Sequence, residues 1–139
     1  MRTLWYMLRR RWLWWTLFVT WLGAVFYASS MTDEEMEPYL PTFVLHKLGH
    51  FAAYSSGAAI LALGLRFSTQ WSWKKIIMVS VVAVSFYGAT DEWHQSFTPG
   101  RDPAVRDWVI DTVSGMAGVG VLTMVRSLLA KSRKLKFES

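Results

Sequence analysis

Four long apolar stretches, separated by short segments dense in charge, set the pattern of this chain. The first runs from Trp12 to Ser30 without a charge, directly after Arg9, Arg10 and Arg11. The second, Leu48 to Phe67, is broken only by His50 and Arg66. The third is uncharged from Ile76 to Thr90, and the fourth runs from Val105 to Val125 with Asp107 and Asp111 in its first turns. A helix rises about 1.5 Å per residue, so about 20 residues cross a hydrocarbon core of about 30 Å. The pattern therefore predicts an all-α, polytopic membrane protein with four transmembrane helices, at about residues 12–30, 48–67, 73–90 and 105–125. The third is the shortest, and it reaches spanning length from Trp73 with the stems of Lys74 and Lys75 snorkelling to the interface. The first stretch also has the basic start and apolar run of a cleavable signal peptide, with small residues at Ala28 and Ser30. Its length and its tryptophans favour a span.

Between these stretches lie predicted loops. The segment from Met31 to Lys47 holds Asp33, Glu34, Glu35 and Glu37 and is broken by Pro38 and Pro41. The run Ser96-Phe97-Thr98-Pro99-Gly100 reads as a turn. Within the second stretch Gly49, Ala53 and Gly57 share a helix face, and Ser114 and Gly118 repeat that spacing in the fourth; small residues so placed let helices approach closely. No internal repeat interrupts the pattern, and 139 residues are expected to form one membrane domain, 1–139.

Charge then orients the helices. Of the 15 Lys and Arg, twelve precede the first stretch, join the second to the third, or follow the fourth. Lys47, Arg101 and Arg106 lie on the other side, with every acid except Glu138. Cytoplasmic loops collect basic residues, so N and C termini are expected in the cytoplasm and both acidic connections outside. The tryptophans are expected mainly as interface anchors, and the basic tail as a face for anionic lipid rather than nucleic acid. With no cysteine in the chain, disulfides, thiolate nucleophiles and thiolate-ligated metals are excluded.

The densest polar run, Asp91 to Asp111, holds five acids, two arginines, a histidine and a glutamine. The topology brings it to the outer end of the second helix, where His46, His50 and Tyr54 share a face and Lys47 lies beside them. Asp91 with Gln95, and Asp107 with Asp111, are likewise one turn apart. Asp111 is expected about 6 to 9 Å inside the interface at helical rise, where a bare carboxylate costs a few kcal/mol and needs a partner, a proton or water. Charge at that depth marks a candidate functional site. The ligand-binding candidates are Lys47, His50, Tyr54, Asp91, Glu92, Gln95, Arg101, Asp107 and Asp111. Should chemistry occur, His50, Asp91 or Glu92 is the candidate base. The alternative is a network of salt bridges and helix caps that only sets the packing of three helix ends.

The elements Lys47-x-x-His50-x-x-x-Tyr54, Asp91-Glu92-x-x-Gln95-x-Phe97-x-Pro99-Gly100-Arg101 and Asp107-x-x-x-Asp111, leading to Gly118, resemble the VanZ-like family of small bacterial membrane proteins. The resemblance covers about residues 45–120. The family pattern usually has Asn where this chain has Asp111, and Gly where it has Ser114. The resemblance implies a multi-pass cell-membrane protein of the bacterial envelope, in a family whose namesake is associated with resistance to the glycopeptide antibiotic teicoplanin.

Three functions follow as expectations. One is a protein that holds or protects an envelope lipid or lipid-linked cell-wall precursor at the outer leaflet, with Lys47, Arg101 and Arg106 on its phosphate or carboxylate. Another is an enzyme on such a lipid phosphate, with a divalent cation neutralising the charge. The third is a structural or regulatory membrane protein without a ligand. No nucleophile elbow, phosphate loop or HExxH pattern favours the enzyme. No metal ligands are assigned, because a closed site draws on three or four such groups and the second helix supplies two histidines.

Overall fold

A computed structural model of the chain describes residues 10–39 and 43–138. These residues form five helices and no strand: α1 (Arg11–Ser29), α2 (Asp33–Met36), α3 (Phe43–Ser68), α4 (Trp73–Gln95) and α5 (Val105–Glu138). Three segments are long and apolar enough to cross a membrane, namely Lys47–Ser68, Trp73–Gln95 and Val105–Ser132. The expected first span is also a helix, of 19 residues, with no charge after Arg11. It is rich in tryptophan, with Trp12, Trp14, Trp15 and Trp21, and it is not among those three segments.

Local sequence explains where the helices begin and end. Ser72 caps α4, its side chain accepting from the Lys75 amide at 3.4 Å. No helix breaker follows Thr90 until Pro99, so α4 runs on to Gln95, and Asp91 and Glu92 stand on its last turns instead of in a loop. The chain then reverses: the Arg101 amide bonds the Thr98 carbonyl at 3.2 Å, with Pro99 and a positive-φ Gly100 (79°) between them, the residue pattern of a type II turn. The basic tail contains good helix formers and extends α5 well beyond Val125. In the acidic connection Thr32 and Glu35 cap each other, as in a capping box, and start the short α2.

Contacts at the two ends fix the directions of the helices. Trp15 Nε1 donates to Ser68 Oγ at 2.8 Å, which joins the start of α1 to the end of α3. Trp73 Nε1 donates to Thr123 Oγ1 at 3.1 Å, which joins the start of α4 to the later half of α5. At the opposite end Lys47 pairs with Asp107 at 2.5 Å and Ser29 bonds Asp91. Thus α1 and α4 run one way, α3 and α5 the other. Arg66, Lys74, Lys75 and Arg126 fall at one end of the bundle, and His50, Asp91, Asp107 and Asp111 at the other.

The interior is built from small and polar residues. Ala58, Ala62, Ser80 and Ser114 are fully buried, whereas Met78, Val82, Phe86, Val113 and Met116 face outward. That inversion suits a lipid solvent, in which apolar surface gains little by burial and helices are held by close packing and hydrogen bonds. Two glycines provide the closest approaches. A Cβ on Gly118 would collide with the backbone of Ser55, and one on Gly57 with the Trp21 ring. Buried Trp21 departs from the expected interface position: its Nε1 donates to the Ala53 carbonyl at 2.8 Å, and its ring lies edge-on to Tyr54.

Candidate functional site

At the acidic end, α3 and α5 begin side by side, and their polar residues meet in two successive rungs. The outer rung is the Lys47–Asp107 ion pair. One turn deeper, His50 Nδ1 lies 3.0 Å from Asp111 Oδ1. An ionised carboxylate only accepts, so with Asp111 charged the proton of this bond is on Nδ1. Asp111 is completely buried, and its side chain packs against Gly88 of α4, where a Cβ would lie 3.3 Å from the Asp111 Cβ.

Asp91 is the other hub. Its Oδ1 accepts from Ser29 Oγ of α1, and its Oδ2 accepts from Tyr54 Oη of α3 at 2.9 Å and from Gln95 Nε2, one turn along α4, at 3.1 Å. All three donors are neutral. Glu92 faces the other way, its Oε2 accepting the Ala104 amide at 2.8 Å, which ties the end of α4 to the chain entering α5. Arg101 donates from Nε to the Met31 carbonyl at 3.1 Å and from Nη2 to the Ala28 carbonyl at 3.2 Å, so its fork holds the end of α1. Burying a carboxylate is costly unless it is paired or hydrogen-bonded. Asp91 is saturated with donors. Glu92 Oε1 and Asp111 Oδ2, by contrast, are buried with no hydrogen-bond partner among the described residues.

The nine sequence candidates therefore gather at one end of the bundle, around the Asp91 hub and the two rungs between α3 and α5. The side chain of His46 lies outside the described residues. Ser29 was not singled out by sequence reasoning, although it is a polar residue ending an apolar stretch, and it supplies one of the donors to Asp91. Thr98 also reaches this end, bonding the Ser29 carbonyl at 3.3 Å.

A cavity of about 160 Å³ opens beside the hub, lined by Ser29, His50, Tyr54, Asp91, Gln95 and Arg101 on its polar side and by Val25, Met36, Gly49 and Ala53 on its apolar side. It has room for several waters or a small oxyanion, and none for a lipid chain. A second opening, about 360 Å³, lies between α4 and α5 and is lined by Glu92, Trp93, Ala104 and Trp108. His50, Glu92 and Asp111 each offer one ligand atom, the three lying within 4.8 Å of one another.

Comparison with known proteins adds one result. A family model described as VanZ/LLP1 matches residues 12–126, which takes in α1 and most of α5 as well as the polar cluster. No curated protein and no solved structure matches the chain.

Proposed function

We propose, from the premise that the chain belongs to the VanZ/LLP1 family, that it is a four-span cell-membrane protein that holds the phosphate-bearing headgroup of an envelope lipid or lipid-linked cell-wall precursor at the outer leaflet. The observation that carries this reading is the cavity at the acidic end of the bundle, with Arg101, His50 and Gln95 on its wall. It admits a phosphate group, and it combines donors with an apolar floor. In the membrane, α1 is the fourth span and the basic ends are cytoplasmic, so the cavity opens outward. Arg101 supplies the cationic side of the cavity, while Lys47 and Arg106 stand at Asp107.

The test is lipid mass spectrometry on protein purified in native membrane. A polyprenyl phosphate or lipid-linked sugar is expected to co-purify, and its yield to fall at least tenfold in Arg101→Lys, which keeps the charge and loses the fork. Bulk phospholipid alone, in both proteins, defeats the reading.

The family resemblance adds a consequence in the cell. Teicoplanin-type drugs carry a fatty chain that places them at the outer leaflet, where this site lies. Expression in a susceptible Gram-positive host is expected to raise tolerance to teicoplanin more than to vancomycin, which lacks the chain, and Asp91→Asn is expected to remove the difference. Inhibitory concentrations on strains matched for membrane level measure it. Equal shifts for both drugs count against a leaflet-specific role.

A further inference from the structure

The proposed headgroup site accounts for Asp91 and for Arg101, but it leaves two carboxylates half used. Glu92 spends one oxygen on the Ala104 amide, and Asp111 spends one on His50. The remaining oxygens, Glu92 Oε1 and Asp111 Oδ2, are buried without a donor among the described residues. The two side chains are about nine-tenths and wholly buried. An unpaired buried acceptor forfeits its hydration, and a charged one forfeits more. Lys47, the cation beside this pair, sits one turn further out, at Asp107.

One ligand atom each of Glu92, Asp111 and the His50 imidazole lie within 4.8 Å of one another, so a cation held by the trio would bring compensating charge to both carboxylates. We infer that His50, Glu92 and Asp111 form a binding site for one divalent first-row cation, Mn2+ or Zn2+. Two facts set this cluster apart from an ordinary group of acids: ligand atoms of all three lie within 4.8 Å of one another, and two of the carboxylate oxygens have no other partner. The mixed donor set selects the metal. Carboxylates suit Mg2+, Ca2+ and Mn2+ and imidazole suits Zn2+, so a set of two carboxylates and one imidazole accommodates Mn2+ or Zn2+. On binding, the cation takes the place of the His50–Asp111 hydrogen bond.

Three protein ligands leave positions open in the shell of either metal. His50 is both a member of the trio and part of the cavity wall, while Glu92 lines the opening between α4 and α5. The open positions are thus reachable by water or by an oxygen of a phosphate group. That last step rests on the headgroup reading; the cation site itself does not.

The experiment uses the full chain in detergent, purified without chelator for elemental analysis, then stripped with EDTA and titrated with MnCl2. Free Mn2+ is followed by its electron paramagnetic resonance signal, with ZnCl2 as competitor. One ion per chain is expected, with binding at least tenfold weaker in each of His50→Ala, Glu92→Gln and Asp111→Asn, and unchanged in Asp102→Asn, an exposed acid of the same connection. Because Glu92→Gln and Asp111→Asn nearly preserve shape, elution as a single symmetric species separates lost ligation from lost folding. Stoichiometry well below one, or an affinity that survives all three substitutions, overturns the inference, the latter meaning an adventitious ion only. Metal binding without a co-purifying phosphate lipid removes the headgroup reading and keeps the metal. Lipid without metal does the reverse.

Discussion

Asp91 binds three helices together through donors that carry no charge, and that choice of donors makes a test possible. Ser29 and Gln95 remain in place when Tyr54 loses its hydroxyl, so Tyr54→Phe removes one bond from a carboxylate that keeps two. Interhelical hydrogen bonds in bilayers are worth about 0.6 kcal/mol on average and up to about 1.7. A loss in that range is expected for Tyr54→Phe, measured by unfolding in mixed micelles. Asp91→Asn is expected to cost more, since it takes the charge from the acceptor of all three bonds, even where the Ser29 hydroxyl turns to accept the new amide. If Asp91→Asn is no worse than Tyr54→Phe, the hub is not what holds these ends. Arg101 is distinct from both. Its fork meets two main-chain carbonyls at the end of α1, so part of any effect of Arg101→Lys is exerted through α1, and lipid yield must be read beside thermal stability.

At the scale of elements, glycine spacing signals close approach, and the structure supplies the partner. Gly118 and Gly120 stand on the same helix, two residues apart, yet a Cβ on Gly118 would strike the Ser55 backbone and one on Gly120 would meet nothing within 4 Å. Gly118→Ala is expected to destabilise by about 1 to 3 kcal/mol, as overpacking does. Gly120→Ala should be neutral or stabilise by up to about 1 kcal/mol through helix propensity. Equal effects in the same micelle assay would mean that α3 and α5 are not in backbone contact there. The same contrast marks what could be read from sequence. Periodicity, length and turn residues placed the long helices and the turn at Pro99–Gly100, because these depend on neighbours in the chain, and the alternation of the spans brought the polar residues to one end. Periodicity ended the third helix at Thr90, since a run of charge looks like a loop until its partners are known. The burial of Trp21 and the part played by Ser29 depend on what packs opposite, and no local pattern carries that. Nor did spacing along the chain bring His50, Glu92 and Asp111 together, one residue from each of three helices.

For the molecule as a whole, the polar interior at one end and the basic residues at the other make sidedness the property on which the functional reading depends. A headgroup site facing the cytoplasm would meet a different set of lipids, and the expected contrast between teicoplanin and vancomycin would disappear. Twelve basic residues against three make the sequence case, and each misplaced Lys or Arg near a short loop works against insertion in the opposite sense. The chain contains no cysteine, so single cysteines can be introduced into the intact protein without a background. Glu35, Gln70, Asp102 and Ser132 are exposed and lie in the two acidic connections, the middle loop and the tail. In intact cells a membrane-impermeant maleimide is expected to label Glu35→Cys and Asp102→Cys, and to label Gln70→Cys and Ser132→Cys only after lysis. The four sites also count the spans. Glu35 outside, with the arginine-rich start inside, requires α1 to cross, and a tag before Arg2 that is digested by protease only in lysed cells completes that test. Labelling of Gln70→Cys from outside would invert the molecule, and an accessible N-terminal tag beside an outward Glu35 would reduce α1 to a helix packed on a three-span bundle.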